Sequence, residues 1–325
     1  MLQFLIRRLT GAVVIMFLIG AFTFFLFYTV PQDFAQLSCG KNCSPENIAV
    51  IRENLGLDQP ITTQFWEFMR GIVVGRDFAI GHCSAPCLGQ SFSTGDFVWD
   101  SIMDRFPLTL SLTVGGLVIF LVIGLGSGML AAWKRGTVLD KVVSGASMVL
   151  SSFQIYFLGP IVLGIFVFST GWMESPKYVP FLDNPVKWAI ALLIPWVVMA
   201  TIFTAQYTRM SRSTMIEQLQ EEHVRTARAK GMPQRYVFFR YAWRGSLAPI
   251  VTILGMDLSG LLAGGVVTEF TFQLAGIGRL AVDSSLTKDL PVTMGVMLFG
   301  AFFILLLNIV VDLAYAYIDP RVRLA

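Results

Sequence analysis

EEHVRTARAKGMPQRYVFFRYAWRGSLAP, residues 221–249, lies between two long apolar runs. It holds Arg225, Arg228, Lys230, Arg235, Arg240 and Arg244 against Glu221 and Glu222. A membrane span cannot hold that much charge, so the stretch is aqueous protein inside an otherwise apolar chain. Its local grammar is helical. Glu221 and Glu222 stand where a helix start favours negative charge, and Arg228 and Lys230 stand where its end favours positive charge. Gly231 supplies a left-handed stop, and Pro233 bars continuation of the first helix while suiting the start of a second. The second piece, about residues 234–243, places Val237, Tyr241, Arg240 and Arg244 at helical spacings. The pattern predicts two short helices with a Gly-Met-Pro break, lying flat on one membrane face. A solvated basic loop beside anionic lipid is the plainer alternative.

Composition sets the class. Of 325 residues, 55% are hydrophobic and only 14% charged, and the mean hydropathy is +0.67. A soluble chain carries nearly twice that charge. The basic residues are dispersed among apolar runs rather than gathered in one domain, so nothing points to nucleic-acid binding. The chain reads as an all-α polytopic membrane protein.

Residues 9–30 are a charge-free apolar run after Arg7 and Arg8, long enough to cross a bilayer. The run is too long for a cleaved signal peptide. Leu37-Ser38-Cys39 resembles a lipoprotein box, but Gln36 occupies the position that needs an aliphatic residue. An uncleaved first span is expected. Residues 31–106 form a polar segment with helical signals. Ser44 precedes Pro45 and Glu46, Ile48, Ile51 and Leu55 share a face, and Gly56 closes the helix. A second amphipathic stretch carries Phe65, Phe68, Met69 and Ile72, and a third runs over 97–105. Five more apolar runs lie near 108–133, 142–170, 188–207, 247–267 and 292–318. The expected organisation is therefore a first span with its tip (1–30), an outer segment (31–106), a five-helix core (107–318) containing a polar stretch (209–246), and a tail (319–325).

Orientation follows from Lys and Arg in the loops. One side holds Arg7, Arg8, Lys134, Arg135, Lys141, the eight basic residues from Arg209 to Arg244, Arg321 and Arg323, fifteen in all; the other holds nine over a longer total length. Both termini and the 221–249 stretch are thus expected in the cytoplasm. All four cysteines (Cys39, Cys43, Cys83 and Cys87) fall in the segment assigned outside, which fits disulfides in an oxidising compartment. Three connectivities are open. A zinc site from the two C-x3-C pairs is the sharper alternative, with a spacing unusual for zinc.

Within the spans, Gly124 with Gly128 and Gly260 with Gly264 are spaced for close helix approach. Asp257 lies inside the fifth span and should face protein or water; it either lines a passage or bonds a neighbouring helix. Asn308 and Asp312 in the last span read as holding helix ends. There is no G-x-x-x-x-G-K-[ST], so the chain does not bind ATP by a phosphate loop, and with no H-E-x-x-H and no G-x-S-x-G nothing in it points to metalloprotease or triad-hydrolase chemistry. His82, between Gly81 and Cys83, reads as a solvated loop residue.

Five stretches carry a family resemblance. Val224-Arg225-Thr226-Ala227-Arg228-Ala229-Lys230-Gly231 resembles the cytoplasmic signature of the permease subunits of dipeptide/oligopeptide ABC importers. Asn54-Leu55-Gly56-Leu57-Asp58-Gln59-Pro60 resembles their outer-segment motif, and Arg105-Phe106-Pro107-Leu108-Thr109-Leu110 the start of their second span. GVVTEFTFQLAGIGRLAVDSSLTKDLPV, residues 265–292, is similar to the outer loop before their last span. Asp312-Leu313-Ala314-Tyr315 with Asp319-Pro320-Arg321-Val322-Arg323 is similar to their carboxyl end.

The resemblance implies a type I ABC importer permease fold in a bacterial inner membrane. It places the coupling helix, which docks on an ATPase, over Glu222, Arg225, Thr226, Ala227, Arg228, Ala229, Lys230 and Gly231. It implies a second similar permease, two ATPase subunits or domains carrying ATP and Mg, an outer substrate-binding protein and a peptide cargo, with no cofactor or metal in this chain. Related permeases move nickel, glutathione or other small solutes. A secondary transporter or channel is the rival of a different class, and with Asp257 as its one central ionisable residue the chain lacks that pattern. Two departures stand out. Arg225-Thr226-Ala227 replaces the Glu-Ala-Ala of the wider importer motif. Gln154 stands where the family usually has proline, which leaves Gly159-Pro160 as the expected kink.

Overall fold

The computed structural model describes residues 2–29, 58–78 and 80–318. Cys39, Cys43, the helix expected from Ser44 to Gly56 and the tail from Asp319 lie outside the described residues. In chain order the elements are α1 (Leu2–Thr29), α2 (Ile61–Val74), β1 (Arg76–Phe78), β2 (Gly81–Cys83), α3 (Val98–Trp133), α4 (Val138–Ser151), and α5 (Ile155–Leu163) with a π-helical continuation (Gly164–Ser169). There follow α6 (Pro185–Gln218), α7 (Glu222–Ala229), α8 (Gln234–Tyr236) with a π-helical turn (Val237–Ala242), α9 (Trp243–Gly264), α10 (Val266–Thr271), α11 (Ile277–Leu286) and α12 (Leu290–Ile318). Five helices among the described residues are long and apolar enough to cross a membrane, and α4 with the Ile155–Ser169 helix makes a sixth crossing if counted as one.

The chain divides into two compact units, Met1–Pro107 with Ala275–Leu305, and Leu108–Leu274 with Leu306–Ala325. In the first, Phe65, Phe68, Met69 and Ile72 form one face of α2, as their spacing predicts. Phe24 of α1 is 1% exposed, with ring centroids 5.5 Å from Phe65 and 5.7 Å from Phe68. Gly75 ends α2 at φ 89°, where a Cβ would stand 2.6 Å from the Cys83 carbonyl oxygen. The chain then turns into a hairpin that pairs Asp77 with His82. Strands of three residues have no legible alternation, and no strand was expected here. His82 is therefore a strand residue rather than a loop residue, still exposed, with Nδ1 2.6 Å from Asp77 Oδ1. Cys83 is disulfide-bonded to Cys87, and the Cys87 amide donates to the Gly71 carbonyl, fixing the loop to α2.

The expected rim helix at 97–105 is instead the start of α3, which runs unbroken through Pro107 for 36 residues. A proline inside a helix removes one ladder bond and costs about 3 kcal/mol. Packing on either side of it offsets that: Val98 and Ile102 are buried with Val292 and Val296, and Leu108 and Leu112 with Leu192 and Phe272. Elsewhere in the first unit, the buried Asp289 accepts from Ser91 Oγ, Ser93 Oγ and the Phe92 and Ser93 amides at 2.5–3.2 Å. An acceptor-only carboxylate suits a site facing four donors.

In the second unit α3 and α6 close on a seam of small residues. A Cβ on Gly115 would fall 2.0 Å from Trp196, on Gly116 1.9 Å from Met199, and on Gly128 2.5 Å from the Thr208 carbonyl oxygen. Gly124 meets Tyr207 and Thr204, and Ser127 Oγ lies 2.8 Å from Thr208 Oγ1. The first G-x-x-x-G thus works as expected. The second makes no such contact among the described residues: Gly260 has nothing within 4 Å of a would-be Cβ, and Gly264 ends α9 at φ 131°.

The third apolar run, expected as one span over 142–170, is broken. Its halves are bent by 95°. The break is at residues 152–154, not at Gly159-Pro160; Pro160 lies inside α5 without ending it. Ser151 and Ser152 turn their hydroxyls onto the Met148 carbonyl, competing with the backbone ladder. Gln154 is extended at φ −108°, ψ 149°, and its carbonyl accepts from the Phe157 and Leu158 amides in the first turn of α5. Proline is not needed for this break. The α4 half is clamped to α6. Arg212 donates through Nε and Nη2 to the two carboxylate oxygens of buried Asp140 at 2.5 and 2.9 Å, and Arg209 donates to the Ser147 carbonyl. Both arginines, counted above as loop charges, are part-buried helix residues because α6 continues to Gln218.

Gly128→Leu should lower the thermal midpoint of the purified chain, by the roughly 1–3 kcal/mol that overpacking costs, while Gly260→Leu should leave it unchanged; fluorescence-detected size exclusion after heating reads both. Alkylation of the denatured, unreduced protein should leave Cys83 and Cys87 unmodified, with both labelled after reduction, as mapped by peptide mass.

Candidate functional site

The 221–249 stretch folds as its first half predicts. α7 covers Glu222–Ala229 with Glu221 extended before it. Its end is a Schellman motif: the Gly231 amide donates to the Arg228 carbonyl at 2.9 Å and the Met232 amide to the Ala227 carbonyl at 3.4 Å. Gly231 has φ 75°, a conformation that disfavours any side chain by about 1–2 kcal/mol. Space does not restrict it, since nothing lies within 4 Å of a Cβ there.

The second half differs from expectation. Residues 234–243 are not a separate flat helix. They run through the π-helical turn into α9, one continuous helix over Gln234–Gly264. The polar stretch is thus the start of a crossing helix, and the apolar sequence period from Val237 onward carries straight into it.

α7 has two faces. Val224 is 0% and Ala227 3% exposed. They pack with Ala132 at the end of α3, Met215 of α6, and Val237, Phe238 and Ala242, with Met232 alongside. The opposite face is exposed: Glu222, Arg225, Thr226, Arg228, Ala229 and Lys230. Arg225 Nη1 lies 2.9 Å from Glu222 Oε1, and Thr226 Oγ1 donates to the Glu222 carbonyl. Exposed pairs of this kind contribute little to stability, about 0–1 kcal/mol, so these charges are available to a partner. Of the eight predicted residues, six lie on α7, Lys230 caps its end and Gly231 closes it, and Ala227 is its buried foot rather than part of the exposed face.

Beside α7 the structure shows a cavity of about 550 Å³ lined by His223, Tyr236, Arg240, Tyr241, Arg244, Gly245 and Ala248. Arg240 and Arg244 were read only as helix-spaced charges; that they border a cavity is a product of the fold. Asp257 is not close to this face in sequence or in its contacts. Its Oδ2 accepts from Tyr207 Oη at 2.9 Å, joining α9 to α6. The neighbouring-helix reading describes what it does within this chain.

Glu269 stands in the 265–292 stretch quoted for its resemblance, but its place there assigns it no role of its own. Glu269 of α10 is 0% exposed and accepts from Thr109 Oγ1 at 2.7 Å. α10 follows the break at Gly264, and Gly159 of α5 lets the two helices approach: a Cβ there would lie 2.6 Å from Thr271 Cγ2. A glutamate four residues beyond the Gly264-Gly265 pair, after a long apolar run, was the available signal. A buried carboxylate at a helix break is where polar groups must be satisfied inside a membrane protein.

Comparison with known proteins gives a consistent picture. Residues 1–113 match the profile of the N-terminal region of binding-protein-dependent transport system membrane components, and residues 124–324 match the profile described as binding-protein-dependent transport system inner membrane component. The chain is 34% identical over 323 residues to a Brucella abortus protein named as a peptide transport system permease, covering 99% of both chains. It is 34% identical over 350 residues to the dipeptide transport system permease protein DppB of Escherichia coli K12, covering 99% of both. Its backbone resembles a chain from inward-facing structures of the MetNI methionine ABC transporter, with TM-score 0.52 and 16% identity over 68% of this chain and 97% of that one. That likeness concerns the fold alone, an all-α polytopic one. With both halves matched to one family and near-complete coverage by its relatives, the chain belongs to the binding-protein-dependent transport system inner membrane components.

Proposed function

We propose that this chain is the membrane permease subunit of an ATP-driven importer of di- or oligopeptides and that the exposed face of α7 couples it to an ATPase. The relatives at 34% identity are named for peptide transport, which favours peptides over nickel, glutathione or other small solutes. In this reading a second, homologous permease completes the path. Two ATPase subunits hold ATP and Mg, and a substrate-binding protein delivers cargo from outside. The protein lies in a bacterial inner membrane with both termini and α7 in the cytoplasm, as the distribution of Lys and Arg supports. Asp257 then lies at the edge of the path, held by Tyr207.

The observation that carries the proposal is the two-faced seating of α7. A permease that hydrolyses no ATP needs a rigid element to receive force from a subunit that does. Val224 and Ala227 root α7 in the ends of α3, α6 and the Gln234–Gly264 helix, so displacement of α7 moves three crossing helices together. Glu222, Arg225, Thr226, Arg228 and Lys230 face outward, where charge and hydrogen bonds set specificity of docking. ATP shifts the balance of inward and outward states only through differential binding to them.

The test is reconstitution with the partner subunits in vesicles, with peptide uptake and ATP hydrolysis followed together. Gly231→Val forces a β-branched residue into φ 75° and should open the end of α7, cutting uptake about tenfold while hydrolysis continues. Gly231→Asn, which tolerates that conformation, should keep most uptake. Undiminished uptake by Gly231→Val would show that α7 does not couple.

A further inference from the structure

Where α3 ends and the Gln234–Gly264 helix begins, the fold leaves a groove of about 300 Å³. Gly126, Leu130 and Trp133 of α3 form one wall, and Phe238 and Phe239 the other, with Arg235 among the lining residues. The aromatic wall is ordered: Trp133 meets Phe238 edge-on at 4.7 Å between centroids and stacks with Phe239 at 6.3 Å. Leu130 and Phe239 remain 45% and 59% exposed. Among the described residues nothing lies within 4 Å of a would-be Cβ on Gly126, so the groove is open at its inner end. Arg235 is exposed and makes no hydrogen bond or ion pair among the described residues.

We infer that this groove is a binding site for an acidic glycerophospholipid, with an acyl chain along Gly126, Leu130 and Phe239 and the phosphate at Arg235. Three features define the occupant. The groove sits at the ends of two crossing helices, with a tryptophan where a membrane–water boundary favours one. From Trp133 back to Gly126 is seven residues of helix, about 10 Å into the apolar region at 1.5 Å per residue. Something apolar must therefore reach inward while something anionic stays at the rim. A soluble partner or a free phosphate meets only the rim. A second transmembrane helix, about 10–12 Å across, would lie over the groove rather than in it. An unpaired arginine at such a boundary favours a lipid of net negative charge over a zwitterionic one, whose own cation competes. The inference does not depend on the cargo or on α7 docking to an ATPase.

The experiment places the full chain in bilayers of equal phosphatidylglycerol and phosphatidylcholine, extracts it gently and counts retained lipids by native mass spectrometry. Wild type should retain phosphatidylglycerol preferentially. Arg235→Gln should lose about fivefold of that preference, the weight of one cation near an anionic surface. Gly126→Leu projects a side chain into open space, so it should leave the elution profile unchanged and lose the bound lipid whatever its headgroup. Added inorganic phosphate should not displace the lipid. Unchanged retention in both variants overturns the proposal. So does displacement by phosphate, which would mark a simple anion site, and so does cross-linking of Gly126→Cys to a second polypeptide instead of lipid.

Discussion

Two small buried side chains, Val224 and Ala227, hold an eight-residue helix against the ends of three long ones. An isolated helix of that length is marginal in water even with a favourable sequence. α7 exists because its apolar foot packs on Ala132, Met215 and Phe238 and because Met232 folds back beneath it through the Gly231 turn. The same packing leaves every charged side chain of α7 on the other face. Stability and presentation thus come from one arrangement.

The platform under that helix depends on how closely α3 and α6 approach. In a membrane, helix association relies on contact and hydrogen bonds rather than on exclusion of water, and small residues allow both. Gly115, Gly116, Gly124 and Gly128 admit α6 to a distance that a methyl group would prevent, and Ser127 and Thr208 bond across the seam. The paired charges of Asp140 and Arg212 add α4 to the same helix. A buried pair of this kind is weak evidence for net stability, but removing either partner leaves an uncompensated charge. α6 therefore connects the seam, the clamp and the foot of α7.

Much of this was legible in the chain. The apolar runs marked the crossings, and Gly231 marked the end of α7, because only a glycine-tolerant conformation permits that Schellman turn. The first G-x-x-x-G marked a helix contact. Other features were hidden for physical reasons. Residues 97–105 look amphipathic and stop before Pro107, yet packing on both sides carries α3 through the proline. The break at 152–154 comes from two serine side chains competing for one carbonyl, a signal far weaker than proline. Arg209 and Arg212 looked like loop charges because their partners, Ser147 and Asp140, lie far away in sequence. The exposed face of α7 was read correctly as polar, but Ala227 could be assigned to its buried side only once the neighbouring helix ends were known.

A coupling role for α7 requires its exposed face to lie on the cytoplasmic side and to be covered by the ATPase. Lys230→Cys, labelled with a membrane-impermeant maleimide, gives the measurement. The reagent should react in inverted membrane vesicles, fail on intact cells, and be blocked when the ATPase subunits are bound. Labelling from outside intact cells, or labelling in inverted vesicles that bound ATPase leaves unchanged, would contradict it.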